Sequence, residues 1–242
     1  GATADVLIPH ARCHVQHLLD LGWDLIVAFP PCDYLSNASV SWLSRETGRH
    51  EAMRQAVRTF RTVRVAAAPL VAIENPKMNP HASALMPGVR PDHITHPYQF
   101  GHGESKPTCW YLSPELPSLQ PFWLTTARVC RAANLGPRPE RAAARGRTFE
   151  GIAGAMAVQW AVAALPYAQM RASSGDHRDA SHLLQSAAGK SDGSLLTFTP
   201  ASHGKAATLN ACLKTLASPA PQMDDAELTS REAKLSERRL EA

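Results

Sequence analysis

The chain contains 242 residues, of which 44% are hydrophobic and 19% charged, and its net charge is +4. This composition is sufficient to bury a core, and no apolar run reaches the roughly 20 residues that a membrane span requires, so no membrane partner is expected. Five scattered cysteines without a Cys-x-x-Cys pair exclude a disulfide framework and a zinc site, which favours a reduced, cytoplasmic setting.

The positive charge is concentrated in the first part of the chain. Residues 1–170 hold 16 Lys and Arg against 12 Asp and Glu, whereas residues 171–242 hold nine of each. A modest positive charge is compatible with nucleic-acid binding without being diagnostic of it.

The first predicted element is a strand that is followed closely by a cysteine. Leu25-Ile26-Val27-Ala28 is apolar throughout, which is typical of a strand buried on both faces of a parallel sheet. Pro30 and Pro31 end it, because proline cannot continue a central ladder. Cys32 therefore follows the carboxyl end of a strand, where open α/β sheets bind their ligands. An isolated cysteine is more often a small buried hydrophobe, so a catalytic role needs support from elsewhere.

That support comes from a second predicted strand. Residues 46–67 carry apolar side chains at helical spacing, and Leu70-Val71-Ala72-Ile73 is again an apolar run, followed by Glu74. Glu74 lies 42 residues after Cys32, an interval that suits one strand–helix–strand crossover. We therefore expect an α/β fold with Cys32 and Glu74 at the same edge of adjacent parallel strands.

The later elements are less regular. Residues 78–103 are rich in Pro, His and Gly and predict a long loop beside the cleft, whereas residues 108–112 predict a short strand and residues 149–165 an apolar helix. Beyond Pro166 the apolar residues thin out. We predict a domain over residues 14–168 and a poorly ordered tail over residues 169–242 that ends in an isolated, charged helix from Asp224.

Several side chains have two interpretations. Lys106 could meet a phosphate or simply be exposed, and Trp110 and Trp123 could stack on a base or pack in the core. Six arginines accompany the predicted helix, and a solvated helix face explains them better than a row of phosphate contacts. They are Arg45, Arg49, Arg54, Arg58, Arg61 and Arg64.

Short segments of the chain resemble one enzyme family. Phe29-Pro30-Pro31-Cys32 is similar to the Phe-Pro-Cys nucleophile motif of the DNA cytosine-5 methyltransferases, and Glu74-Asn75-Pro76 is similar to their Glu-Asn-Val motif. Residues 30–37 resemble a compact, mostly phage-borne, cytosine-methylase-like branch, in which residues 97–101, 106–109 and 147–153 also have counterparts. The similarity runs from about residue 14 to about residue 160.

The resemblance implies a Rossmann-like, S-adenosylmethionine-dependent methyltransferase that acts on cytosine in DNA. Cys32 would add to cytosine C6 as a thiolate, which makes C5 able to accept a methyl group. Glu74 would hold the base at N3 and the exocyclic amine. The thiolate requires a lowered pKa, and the target base must be flipped or single-stranded.

The resemblance also implies two sets of binding residues. The predicted substrate contacts are Pro31, Asn75, Arg145 and Arg147. Asn75 also suits a role in bracing its loop, and Arg147 a contact to the pyrimidine O2. The predicted cofactor contacts are Phe29, Pro30, Gly151 and Ala153, the last two at the start of the family's final helix.

The first residues depart from the family pattern. No Phe-x-Gly-x-Gly loop for the methionine part of the cofactor precedes Cys32, and the 31 residues before Cys32 are too few for the usual three strands. Gln16-His17 stands where the branch tends to carry an acidic residue. We therefore expect a fold that is incomplete at its amino terminus and that relies on a partner chain or a longer product for the missing cofactor-binding strands.

Two other functions remain open. A catalytically inactive methyltransferase remnant that binds nucleic acid would explain the missing cofactor loop. An amino-methyltransferase, whose Pro-Pro-aromatic motif resembles Pro30-Pro31, would need no cysteine.

Overall fold

The computed structural model describes residues 15–19, 21–124, 148–174 and 223–241. The helices of this part are α1 (Gln16–Leu19), α2 (Arg49–Arg64), α3 (Pro80–Ala84), α4 (Glu150–Ser173) and α5 (Asp225–Glu241). The strands are β1 (Leu25–Ala28), β2 (Leu70–Asn75), β3 (His93–Thr95) and β4 (Thr108–Leu112). Short 3-10 helices lie at Asn37–Trp42 and Pro97–Gln99, and α4 contains a π-helical turn at Met156–Trp160.

The four strands form one mixed sheet in the order β1-β2-β4-β3. β1 and β2 are parallel, with Leu25 opposite Leu70 and Ala28 opposite Ile73. β4 is antiparallel to both β2 and β3, so it alone runs against the other three strands. The predicted α/β class, the parallel pair and the strand at residues 108–112 are confirmed, within a small mixed sheet.

Helices cover both faces of this sheet. α2 is the predicted crossover between β1 and β2, and it buries Met53, Val57 and Phe60 against the face that carries Val71 and Ile73. Alternate strand residues, including Leu70, Ala72 and Trp110, point to the other face and pack against Ile152, Ala155 and Trp160 of α4. The sheet therefore separates two hydrophobic cores.

α4 corrects one expectation from the sequence. By length and composition it is long and apolar enough to cross a membrane, so the statement that no such run exists is wrong. One such helix is weak evidence for a membrane span, although only 17% of its apolar stretch is buried. Trp160 is fully buried, and its indole Nε1 donates a 2.9 Å hydrogen bond to the Pro117 carbonyl.

β1 is less buried than its composition predicts. All four of its residues are half-buried, because β1 is the last strand on its side of the sheet. Within the described residues no strand pairs with its outer edge. The prediction of a strand buried on both faces is therefore wrong for this part of the chain.

The predicted long loop over residues 78–103 is also wrong in part, since it contains α3, β3 and the 3-10 helix at Pro97–Gln99. β3 forms despite its His- and Pro-rich surroundings because it pairs with β4, from Thr95 opposite Thr108 to His93 opposite Trp110. Cross-strand pairing has overridden local propensity here.

α5 confirms the predicted terminal helix but not its isolation. Leu228 and Leu235 are buried beside Val65 at the end of α2. Arg61 forms two hydrogen bonds to the Glu232 carboxylate, at 2.9 and 2.8 Å. Contacts between distant segments leave no periodic signal in the sequence. Residues 175–222, which make up most of the predicted tail, lie outside the described residues.

We expect Leu228→Ala to loosen the docking of α5. The Leu228 side chain is 0% exposed, and truncation of a buried leucine costs about 2–5 kcal/mol. Hydrogen exchange of the amides in residues 225–241 should therefore accelerate in the variant. Leu240→Ala is the matched control on the same helix, because Leu240 is 89% exposed. Equal exchange in both variants would mean that the ion pairs alone hold the helix.

Candidate active site

Cys32 lies in a tight turn just after β1. Its carbonyl oxygen accepts hydrogen bonds from the backbone N–H groups of Leu35 at 3.1 Å and Ser36 at 2.8 Å. Leu35 is fully buried and anchors the turn, whereas Pro31 and Asp33 on either side of Cys32 are exposed. The half-buried thiol is thus held on a fixed turn that borders solvent.

Arg49 at the start of α2 clamps this turn from outside. Its Nη2 donates a 3.2 Å hydrogen bond to the Asp33 carbonyl, and its guanidinium lies 5.0 Å from the centre of the Tyr34 ring. It also pairs with Glu46. Arg49 is therefore not a plain solvated side chain. In this arrangement its guanidinium is already engaged by protein groups and is not free to bind a phosphate.

Asn79 joins the Cys32 turn to the segment that follows β2. Its side-chain Nδ2 donates to the carbonyls of Tyr34 and Leu35, at 3.0 and 3.2 Å, and its backbone N–H donates to Leu35 at 2.7 Å. Its Oδ1 accepts from the Ala82 N–H at 2.8 Å and so caps α3. Because Asn79 is fully buried, these bonds fix the turn after β1 against the turn after β2. The Asn-Pro pair at the start of α3 is the sequence signal that could have identified it.

Glu74 lies near the end of β2, opposite Trp110 of β4. It is half-buried, whereas every other residue of β2 is buried. Burial raises the pKa of the Glu74 carboxyl, and the charge of Lys106 offsets only part of this increase. The protonated form, which can donate a hydrogen bond, is therefore favoured relative to an exposed glutamate.

The environment of Cys32 does not by itself supply the lowered pKa that a thiolate nucleophile requires. Burial raises the pKa of the Cys32 thiol, and the negative charges of Asp33 and Glu74 raise it further. A hydrogen bond to the backbone of Cys32 itself and the charge of Lys106 lower the pKa, but these effects are smaller. In this state a half-buried thiol near two carboxylates disfavours the thiolate.

Lys106 is the cation of this site. Its charge lowers the pKa of both Cys32 and Glu74, and the residue is half-buried. Plain exposure does not describe this half-buried residue, and a phosphate contact stays a prediction. The sequence pattern does not predict its position near Cys32 and Glu74, because Lys106 lies in the segment before β4, which the sheet brings next to β2.

Asn75 supports its loop. Its side chain is 0% exposed, and its Nδ2 donates a 2.6 Å hydrogen bond to the Pro76 carbonyl, whereas its Oδ1 is buried with no hydrogen-bond partner among the described residues. The Nδ2 bond fits the bracing role, and the predicted substrate contact stays a prediction. Trp110 is likewise a core residue, whereas Trp123 is 66% exposed.

Gly151 is constrained by close packing. A Cβ at this position would lie 1.8 Å from the carbonyl oxygen of Phe100, so no other residue fits without backbone movement. Its backbone N–H donates a 2.9 Å hydrogen bond to His102 Nε2. The start of α4 is thereby fastened to the loop that follows the 3-10 helix at Pro97–Gln99.

The other predicted cofactor residues do not enclose a pocket in the described part of the chain. Phe29 is 47% exposed and meets Trp110 edge-on, with ring centroids 6.2 Å apart. Ala153 is exposed, and Pro30 is half-buried. Gly151 is packed against Phe100, and no described strand covers the outer edge of β1. The described residues alone therefore do not fit the whole of S-adenosylmethionine. Arg145 and Arg147 lie outside the described residues.

Comparisons with protein-family models, curated proteins and solved structures find no match for the chain. The resemblance to the cytosine-5 methyltransferases therefore stays a prediction.

We expect Asn79→Ala to destabilise the protein and release the Cys32 turn. The variant loses a helix cap and two further side-chain hydrogen bonds, for a total cost of about 2–3 kcal/mol. Urea unfolding would measure this loss. Asn37→Ala, directly after the Cys32 turn, is the control, because the Asn37 side chain is exposed. Equal stability of the two variants would contradict the proposed link between the turns.

We expect Glu74→Gln to stabilise the protein at neutral and higher pH. Burial raises the pKa of Glu74 in the folded state, so the folded state binds this proton more tightly than the unfolded state does. The contribution of Glu74 to the free energy of unfolding therefore falls as the pH rises from 4.5, the ordinary pKa of a glutamate, towards the pKa in the folded state. The advantage of the variant should be present near about pH 8 and vanish near about pH 4.

Thermal unfolding across this pH range tests the effect of Glu74→Gln. Glu51→Gln is the control, since Glu51 is exposed and pairs only with the exposed Arg54. A stability difference that does not change with pH would show that the effect of the Glu74 substitution is not electrostatic.

Proposed function

We propose that the chain is a DNA cytosine-5 methyltransferase-like protein whose own residues bind cytosine and form the covalent adduct. The observation that carries this proposal is the pairing of Cys32 with Glu74. The two residues follow or end adjacent parallel strands, their turns are joined by Asn79, and the charge of Glu74 acts on the Cys32 thiol. The cytosine ring must accept a proton while the nucleophile attacks it. A thiol beside a carboxyl group whose protonated form is favoured suits this chemistry.

The two groups assist each other when a cytosine is bound. A protonated Glu74 donates a hydrogen bond to N3 of the base, and in that form it no longer opposes ionisation of Cys32. The thiol proton passes to solvent and the sulfur bonds to C6. The C5–C6 π electrons move to C5 as the proton of Glu74 moves to N3. In the complex the charge of Glu74 therefore no longer raises the pKa of the thiol, whereas burial and the charge of Asp33 still do.

The fold is compatible with a Rossmann-like methyltransferase. Three strands run in one direction with helices on both faces, and one antiparallel strand, β4, lies between two of them. Cys32 and Glu74 lie at the carboxyl ends of β1 and β2, which is where parallel sheets bind their ligands.

The methyl donor implied by the resemblance, S-adenosylmethionine, needs walls that the described residues lack. We assign its remaining contacts to strands that would pair with the outer edge of β1, supplied by a partner chain or a longer product. The half-buried state of all four β1 residues supports this assignment, because their composition is that of a central strand.

Exchange of the C5 hydrogen tests the covalent step without the cofactor. The adduct makes C5 enamine-like, so C5 takes a proton from water, loses its original hydrogen and regenerates cytosine as Cys32 leaves. We expect the chain to release tritium from single-stranded DNA that contains [5-³H]cytosine. Cys32→Ser should abolish the release, and Glu74→Gln should slow it by about 100-fold or more. Cys212→Ser, outside the predicted domain, is the control and should leave it unchanged.

A non-catalytic nucleic-acid-binding module is the second candidate, and the raised pKa of Cys32 in the free protein favours it. The same preparation distinguishes the two. Salt-sensitive DNA binding that Cys32→Ser does not alter, together with no tritium release by the wild-type chain, would reject the enzyme and support the binding module.

A further inference from the structure

A basic cavity lies at the end of the sheet opposite to Cys32 and Glu74. It has a volume of about 230 Å³ and is formed between the connection from α2 to β2 and the docked helix α5. Val65 and Leu235 are its main apolar residues, and Ser113 contributes a hydroxyl. This place belongs neither to the candidate active site nor to any motif in the sequence.

The charged residues that line the cavity are all cations. They are Arg64 from α2 and Arg231, Lys234 and Arg238 from α5. Carboxylates lie near two of them, since Arg231 pairs with Glu227 at 2.8 Å and Arg238 with Glu115 at 2.5 Å. Glu232 and Asp92 are engaged by Arg61 and Arg239 outside the lining. Among the described residues, Arg64 and the exposed Lys234 form no direct ion pair, although the charges of Glu232 and Asp92 act on Arg64.

Arg64 is the residue that indicates a missing ligand. Its Nε is buried without a hydrogen-bond partner, and within the described residues none of its nitrogens donates a hydrogen bond. Burial and the nearby charge of Arg239 lower the pKa of the half-buried guanidinium, and the charges of Glu232 and Asp92 offset only part of this. A buried nitrogen of a cation is normally hydrogen-bonded, because an unpaired one is costly. An anion in the cavity would satisfy it.

We propose that this cavity binds a small phosphate-bearing anion, which bridges Arg64 to Lys234 and thereby clamps α5 to the body of the protein. Guanidinium and ammonium groups are the usual partners of phosphate oxygens. The volume of 230 Å³ is below the roughly 300–1,000 Å³ typical of drug-sized ligands. It suits phosphate or pyrophosphate rather than a nucleotide. This inference goes beyond the proposed function and does not depend on it.

Titration of pyrophosphate into the full chain by calorimetry, at constant ionic strength and without DNA, tests the proposal. We expect saturable binding, a higher unfolding temperature and slower hydrogen exchange in residues 225–241. Arg64→Gln should weaken the affinity by roughly tenfold or more, since it removes a charge-assisted hydrogen bond. Arg54→Gln on the same helix is the control, because Arg54 is exposed and outside the cavity.

Lys234→Gln keeps the test informative if Arg64→Gln does not fold. Lys234 is exposed, so this variant should fold normally and still bind pyrophosphate more weakly. Binding that neither substitution alters, or an equal response to chloride, would overturn the proposal. A second result would also overturn the proposal: a DNA strand without a terminal phosphate binds in an Arg64-dependent way, whereas pyrophosphate does not bind. That result would assign the cavity to nucleic acid. Cys32→Ser should leave pyrophosphate binding intact, which separates this result from that of the tritium assay.

Discussion

The hydrogen bonds of Asn79 are the constraint on which the candidate active site depends. One buried side chain accepts a bond from α3 and donates two to the turn after β1, so two loops with no sequence proximity behave as one piece. The parallel pairing of β1 with β2 brings the loops to the same edge of the sheet. Asn79 then fixes their distance. Preorganisation of this kind lets a thiol and a carboxyl act on one ring without reorganising.

Burial and charge set the electrostatics of the two candidate groups. Burial is the largest cause that raises the pKa of both Cys32 and Glu74, and the negative charge of Glu74 adds to the effect on Cys32. The charge of Lys106 lowers both pKa values but offsets only part of the increase. Under the proposed function, a protonated Glu74 that donates to a bound base would remove one of the charges that disfavour the Cys32 thiolate.

The sequence predicts the parts of the fold that repeat a local pattern. β1, α2 and β2 follow from apolar runs and helical spacing, and their crossover predicts that Cys32 and Glu74 share an edge. The pairing of β3, the docking of α5 and the position of Lys106 could not be predicted. Each depends on contacts between segments that are distant in the chain, and the same holds for the balance of burial and charge that sets the pKa of Cys32.

The crowding at Gly151 has an evolutionary consequence. Two glycines lie three residues apart at the start of α4. A Cβ added at Gly151 would lie 1.8 Å from a backbone oxygen, whereas a Cβ added at Gly154 would have no atom within 4 Å. As the sequence diverges, position 154 is free to drift to alanine or to a polar residue, because a helix favours almost any replacement of glycine. Position 151 can change only together with the course of the Phe100 loop. Diverged homologues should therefore retain glycine at the first position while losing it at the second.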